Sequence, residues 1–447
     1  MSEAPRDVAS ADRAAAALRE RFGHPAFRVG QGPIVAAMMA GRDVLAVLPT
    51  GAGKSVCYQV PAVLSSRPTL VVSPLIALME DQVAALAARG IPAAAFTSAT
   101  APAERRRAER RLTEPGAFLL YAAPERLVLG SFRATAERAR LARIVVDEAH
   151  CISEWGHDFR PSYRAIGEFA RAVGRPPVAA FTATATPATR ADIARQLGLR
   201  DPERFVTAVD RSNLRWEVER APNPARALPR LGEAVRRRGP GAALVYVPTR
   251  ALAAGLAAAL RRQGQPAIAY HAGLSAERRT AAQAAFLADP RGVVCATCAF
   301  GMGIDHPRVR LVAHLGMPGA LEAYVQEAGR AGRDGAPSRC LLVHLPSDLR
   351  LHRGRIRELR AQARRAARHR LAAMRAYVAE RHCRRRAIAA YFGEAAPECS
   401  GCDLCLRRRR GRSPGNPRPL PNVHILGPWT TRSREVEDVP EDDGDMR

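Results

Sequence analysis

The sequence predicts an α/β protein: two domains built on parallel sheets, then a small helical module that carries cysteines. Three observations predict it. Short apolar runs such as "TLVVSPL", "FLLYAAPE", "RIVVDEAH" and "GVVCAT" alternate with helix-like stretches, which implies parallel strands joined by crossover helices. Two segments share one outline, "DVLAVLPTGAGKS" (Asp43 to Ser55) and "AALVYVPTRALAAGLAAAL" (Ala242 to Leu260): an apolar strand, a Pro-Thr step, a helix. Near the end, Cys383, Cys399, Cys402 and Cys405 stand in a C-x15-C-x2-C-x2-C pattern. The expected divisions are an N-terminal segment 1–21, α/β domains over 22–209 and 210–346, a helical module over 347–406 and a tail over 407–447. That tail runs from "RRRRGR" to the acidic "EVEDVPEDDGD" and is expected to be disordered.

Composition narrows the function classes. A chain of 447 residues that is 47% hydrophobic can bury sizeable cores. No apolar run approaches the ~18 residues of a membrane span. The opening "MSEAPRDVAS" lacks the apolar core of a signal peptide, so the expected compartment is the cytoplasm. The formal net charge of +26 points to a polyanionic partner. Nucleic acid fits better than a membrane surface, because no basic amphipathic stretch stands beside an apolar anchor.

Lys54 is the only lysine, against 68 arginines. It sits in "LPTGAGKS", Leu48 to Ser55, between an apolar strand and a helix. Gly51 and Gly53 let the backbone curl so that its amides and the helix N-terminus cradle phosphate, with Thr50 in the same loop. A compact ammonium reaches the β/γ-phosphates there; a wide, forked guanidinium fits the closed loop badly. Ser55 supplies a hydroxyl for Mg²⁺. The matching turn of the second domain lacks these glycines and the lysine, so it is not expected to bind phosphate.

"RIVVDEAH" delivers two carboxylates to the end of a strand. Asp147 is expected to hold Mg²⁺ and Glu148 to position or deprotonate the attacking water, with His150 coupling the site to its neighbours. "QEAGRAGRDG", Gln326 to Gly335, places Arg330 and Arg333 three residues apart in the second domain. Reaching across a cleft to the γ-phosphate, such arginines make hydrolysis depend on closure; an arginine finger is worth roughly 10³–10⁵ in rate.

In order and in detail these motifs resemble superfamily 2 helicases, and among them the RecQ family of DNA helicases. "FRVGQ" (Phe27 to Gln31) is similar to the family's adenine-reading motif, which implies nucleotide contacts by Phe27 and Arg28 and a base contact by Gln31. "SPLIALMEDQV" (Ser73 to Val83), "APERL" (Ala123 to Leu127), "FTATAT" (Phe181 to Thr186), "YHAGL" (Tyr270 to Leu274) and "CAFGMGIDHPRVR" (Cys298 to Arg310) also match. The resemblance implies two RecA-like domains that clamp ATP and Mg²⁺, Gln326 as part of the site, and 3′→5′ movement on single-stranded DNA. "CISEWGHDFRP", Cys151 to Pro161, resembles the family's aromatic-rich loop. Trp155 and Phe159 there can stack on unpaired bases, worth about 1–3 kcal/mol each. His157 and Arg160 can touch phosphate or relay to the ATP site. The plainer alternative makes Trp155 and Phe159 core residues.

Four thiolates at that spacing can surround one Zn²⁺, and "HCRRRAIAAYFGE" before them strengthens the match to the RecQ zinc module. Leu371, Met374 and Val378 form an apolar stripe just upstream. Cys295 and Cys298 have no second pair and read as buried thiols. Two departures stand out: His306 where the family often has Lys, and Ser212 of "DRSNL" where Pro is usual. About forty residues follow the module, too few for the winged helix and further helical domain common in the family. A short form is therefore expected, either an unwinding enzyme, a DNA-stimulated translocase or annealing factor, or a DNA-binding scaffold.

Overall fold

The structure is a computed structural model that describes residues 4–300, 306–399 and 401–410. Strands β1 to β7 cover Val44–Val47, Thr69–Val72, Ala93–Phe96, Leu119–Ala122, Arg143–Val146, Val178–Thr182 and Glu203–Val206. They form one sheet in the order β3-β4-β2-β5-β6-β1-β7, with every neighbouring pair parallel. Strands β8 to β13 cover Leu214–Arg220, Ala242–Tyr246, Ala267–Tyr270, Val293–Ala296, Val309–Leu315 and Ser338–His344. They form a second parallel sheet, ordered β10-β11-β9-β12-β13-β8.

The central strands are apolar at consecutive positions because helices cover both faces of each sheet. Val44 to Val47, Leu119 to Ala122 and Ala242 to Tyr246 are buried throughout. Each sheet therefore has two cores. On the first, Leu45, Leu70, Phe132 and Phe169 pack one face, while Ile34, Tyr58, Val60 and Phe181 pack the other. The N-terminal stretch belongs here: helix Ala4–Phe22 buries Ala14, Leu18 and Phe22 in that second core.

The cysteine-bearing module is not a separate body. Leu371, Met374 and Tyr377 of helix Ala361–Ala379 join one core with Trp216, Val312 and Tyr324 of the second sheet. Ile388, Phe392 and Cys402 join it too. Val378 of the expected stripe packs at its margin, while Tyr377, one residue earlier, is fully inside. The tail beyond residue 410 lies outside the described residues. No described helix is long and apolar enough to cross a membrane.

Candidate nucleotide and nucleic-acid site

In a parallel sheet, ligands gather at the C-terminal ends of the strands. β5, β6 and β1 are neighbours, so the turn after β1 and the acidic pair after β5 flank one crevice. Gly51 and Gly53 take φ of 84° and 78°, which a side chain would strain. Helix Lys54–Val63 then begins with no side-chain cap. Its first amides remain available to an anion.

The side chains of "FRVGQ" turn onto this loop. Gln31 Nε2 donates to the carbonyls of Ala52 at 2.9 Å and Gly53 at 3.1 Å, and its Oε1 accepts from the Arg28 amide at 2.8 Å. Arg28 donates to the Gly51 carbonyl at 2.7 Å. Gln31, the expected base contact, thus braces the loop through Nε2 while its Oε1 ties back to its own segment at Arg28. Phe27 packs on the adjoining core.

Asp147 follows β5, and its Oδ1 accepts from the Glu148 amide at 2.9 Å. Glu148 adopts φ 46°, a left-handed backbone that costs a non-glycine residue energy and is typical of functional turns. Burial, then the charge on Glu148, push Asp147 up to about 6. Burial would raise Glu148 as well, but the Lys54 ammonium and His150 outweigh it and hold Glu148 below the usual carboxylate range. Glu148 Oε2 is buried without a hydrogen bond, although His150 Nδ1 stands 3.3 Å away. Two crowded, buried carboxylates with an orphaned oxygen, facing an uncapped helix and one ammonium, fit a divalent cation and a polyphosphate.

A relay leaves this centre for the second domain. His150 Nδ1 and Thr182 Oγ1 are 3.0 Å apart, which ties Glu148's neighbour to "FTATAT". The His150 and His157 rings stack at 4.4 Å, and His157 Nε2 lies 2.7 Å from Gln326 Oε1. Burial, then His150, depress His157 to about 3. It is therefore neutral, with Nε2–H donating to Gln326. Gln326 meets the first domain through His157, and the Arg333 side chain lies over Gly51, its Cδ 3.1 Å from where a Cβ would stand, while Arg330 is buried beside Tyr246 of the second sheet.

Trp155 and Phe159 of the aromatic-rich loop are not core, although Cys151 and Ile152 at its start are. Trp155 is 39% exposed, and Phe159 is half-buried beneath the Arg164 guanidinium at 5.1 Å. Trp155 meets His369 edge-on at 6.2 Å, and Arg370 donates to the Glu154 carbonyl at 2.8 Å. Arg160 is committed to the Pro74 carbonyl at 2.9 Å and to Asp158, so it fixes the loop to "SPLIALMEDQV". Between this loop and the second domain lies a cavity of about 620 Å³, reached by Arg330, Arg355 and Arg370.

Cys383, Cys399, Cys402 and Cys405 come together with their Sγ atoms all within 4.8 Å of one another. A tetrahedral zinc site, with Zn–S of about 2.3 Å, needs sulfur separations of about 3.8 Å. Hydrogen bonds among the thiols split them: Cys383 and Cys402 hold Cys399 below the usual thiol range, while Cys399 and Cys402 push Cys383 above it. No other grouping of this kind exists among the described residues. Cys295 is buried as expected, but Cys298 is exposed because β11 ends at Ala296, short of it. The centre of "CAFGMGIDHPRVR", residues 301–305, lies outside the described residues.

Sequence reasoning missed several residues at the site. Arg211 and Asn213, noticed only within a divergent "DRSNL", bind the turn that carries Arg330 and Arg333. His369 and Arg370 were two basic residues in an Arg-rich helix, with no local signal that they meet the aromatic-rich loop.

Comparison with known proteins matches this arrangement. The DEAD/DEAH box helicase model matches residues 28–193, the helicase conserved C-terminal domain 226–335 and the RecQ zinc-binding model 346–406. The chain is 38% identical to an ATP-dependent DNA helicase RecQ of Haemophilus influenzae over 87% of its own length and 63% of the relative's. It is 39% identical to the ATP-dependent DNA helicase RecQ of Bacillus subtilis, over 89% of this chain and 67% of that one. The chain thus spans about three-fifths to two-thirds of the length of these relatives. Among solved structures, the helicase Lhr of Mycobacterium smegmatis bound to ssDNA and AMP-PNP shares the fold, with a TM-score of 0.58, 22% identity, and coverage of 75% of this chain and 48% of that one. The identity to a relative covered over two thirds of its length, carried through both helicase domains and the cysteine module, leads to one placement: the chain belongs to the RecQ family of DNA helicases.

Proposed function

We propose that the chain is an ATP-dependent DNA helicase that hydrolyses Mg-ATP between its two sheets and moves 3′→5′ on single-stranded DNA. The observation that carries this reading is the chain of contacts from Glu148 through His150 and His157 to Gln326, which joins the hydrolytic carboxylate, the aromatic-rich loop and the arginine turn. In this reading the loop Thr50–Ser55 and Lys54 hold the phosphates, and Ser55 and Asp147 hold Mg²⁺. Bound there, the metal neutralises developing charge on the phosphoryl oxygens. Glu148 orients water and accepts its proton, while Arg330 and Arg333 meet the γ-phosphate when the cleft closes. Phe27 and Arg28 line the base end, with Gln31 linking base and loop.

Trp155 and Phe159 stack on unpaired bases, and the excess of arginine holds the backbone. The four cysteines hold one Zn²⁺, which is structural because four protein ligands leave no position for water. We place the domain limits at 22–209, 210–346 and 347–406, with helix Ala4–Phe22 packed on the first of these, and the chain in the cytoplasm. The test is strand displacement on forked, tailed and blunt duplexes beside ATPase rates. ATP-dependent displacement of tailed duplexes is expected. DNA-stimulated ATPase without displacement supports a translocase, and DNA binding without turnover a scaffold.

A further inference from the structure

The arginine turn is held by a part of the chain that no catalytic motif includes. Arg211 donates one N–H to the Gly329 carbonyl at 2.9 Å and another to the Gly332 carbonyl. Asn213 Nδ2 donates to the same Gly332 carbonyl and to that of Ala336, each at 2.9 Å. The Gly335 amide adds a third kind of donor to Gly332 at 3.0 Å. The Gly329 and Gly332 carbonyls belong to the peptides that lead directly into Arg330 and Arg333. A peptide is planar, so fixing its oxygen fixes the direction in which the next residue leaves. Gly332 itself takes φ 56°, and a Cβ there would stand 2.5 Å from Asn213 Nδ2, so the grip closes on bare backbone.

The gripping segment is itself anchored from the other side. Both Asp210 oxygens accept from Arg385, whose third nitrogen donates to the Glu398 carbonyl at 3.1 Å. Glu394 accepts from the Val209 amide at 2.8 Å. Arg385 is buried and lies within helix Arg384–Phe392, which Cys383 begins; Glu398 precedes Cys399. Zinc module, interdomain segment and arginine turn therefore form one connected body.

We propose that Arg211 and Asn213 are positioning residues for ATP hydrolysis: they hold the turn that carries Arg330 and aims Arg333 at the phosphate loop, and Asp210 with Arg385 seats them on the zinc module. This rests on the reading of Arg330 and Arg333 given above. A side chain that aims a transition-state contact affects kcat; one that merely supports the fold lowers stability.

The experiment measures steady-state ATPase with saturating single-stranded DNA, zinc content, and hydrogen–deuterium exchange, all on the full chain. Arg333→Ala tests the functional reading alone: turnover equal to wild type ends that reading and this proposal with it. Given a loss there, Arg211→Ala is expected to lower kcat about 10- to 100-fold, part of what an arginine finger supplies. KM for ATP should move less than about threefold, and zinc should stay at one per chain. In the Arg333→Ala background, Arg211→Ala should add little, because both act through one group. Arg211→Lys, which can reach one carbonyl, should recover part of the rate, and Asp210→Ala should show the same split more weakly. Independently of turnover, amides of residues 329–336 should exchange faster in Arg211→Ala while those of 48–56 do not. Wild-type kcat in Arg211→Ala, full additivity with Arg333→Ala, or unchanged exchange over 329–336 overturns the proposal while leaving the functional reading intact. Should Arg211→Ala fail to fold, Asn213→Ser carries the same tests.

Discussion

The two sheets open their helices at matching turns and finish them differently. After β1, "LPTGAGKS" leads into helix Lys54–Val63 through Gly53, with no side chain on the first amides. After β9, "VPTR" leads into helix Arg250–Arg262 through Thr249, whose hydroxyl accepts from the Leu252 amide at 3.2 Å. One turn satisfies its own helix; the other leaves the amides for a ligand. The same strand–turn–helix unit thus becomes a binding site or a structural joint by a change of a few residues. The first half carries the open turn, and Arg333 of the second half lies over it. The second half is in turn steadied by the cysteine module, whose Asp403 accepts from the Val218 amide of β8 at 3.3 Å.

This asymmetry can be broken at several points. The largest effect is expected at the metal. Structural zinc in small modules is worth roughly 10–16 kcal/mol of apparent binding energy. Cys402→Ser should release the zinc, loosen β8 and the module in hydrogen exchange, and weaken DNA binding, while the first sheet keeps its protection. Elemental analysis and exchange mapping check this; a wild-type metal content in the folded variant would refute the assignment.

Next is the open turn. Lys54→Arg should reduce DNA-stimulated ATPase by about 10²- to 10³-fold, the scale of removing one preorganised donor from a reacting group. Thermal unfolding should shift little. Wild-type turnover would show that the solitary lysine is only a coding accident.

Smaller effects follow at the loop between the halves. Trp155→Ala should remove about 1–3 kcal/mol of base stacking and lower DNA stimulation more than the DNA-free rate. Equal loss of both, with a lower Tm, would return Trp155 to the fold. The smallest change tests the closed turn: Thr249→Ala should cost about 1 kcal/mol of stability, measured by denaturant unfolding, and leave ATP affinity unchanged.

Much of this was legible because the signals are local. The phosphate loop, the acidic pair and the cysteine spacing each fit within a few residues, and the buried strands announce themselves by apolar runs. The contacts that assemble the site are not local. Arg211 and Gly329 lie 118 residues apart, and Arg370 and Glu154 lie 216 apart. In a chain with 68 arginines, nothing nearby distinguishes the two that bond these carbonyls. Gln31 shows the complementary limit: its motif was recognisable, yet the partners of its amide depend on how the loop curls. Cys298 was misjudged because the strand stops two residues earlier than its apolar run suggests.

The solitary lysine has a chemical consequence. Besides the α-amino group, amine-directed reagents find a single primary amine in this chain, half-buried at the first position of the helix beside Asp147 and Glu148. Acylation there would neutralise the one ammonium in the crevice, whereas the arginines would be untouched. A nucleotide that occupies the loop would shield it, so the mass added by an amine reagent, with and without ATP, reads occupancy at one known atom. A protease specific for lysine would likewise have one bond to cut, between Lys54 and Ser55. The molecule carries its own single-site label.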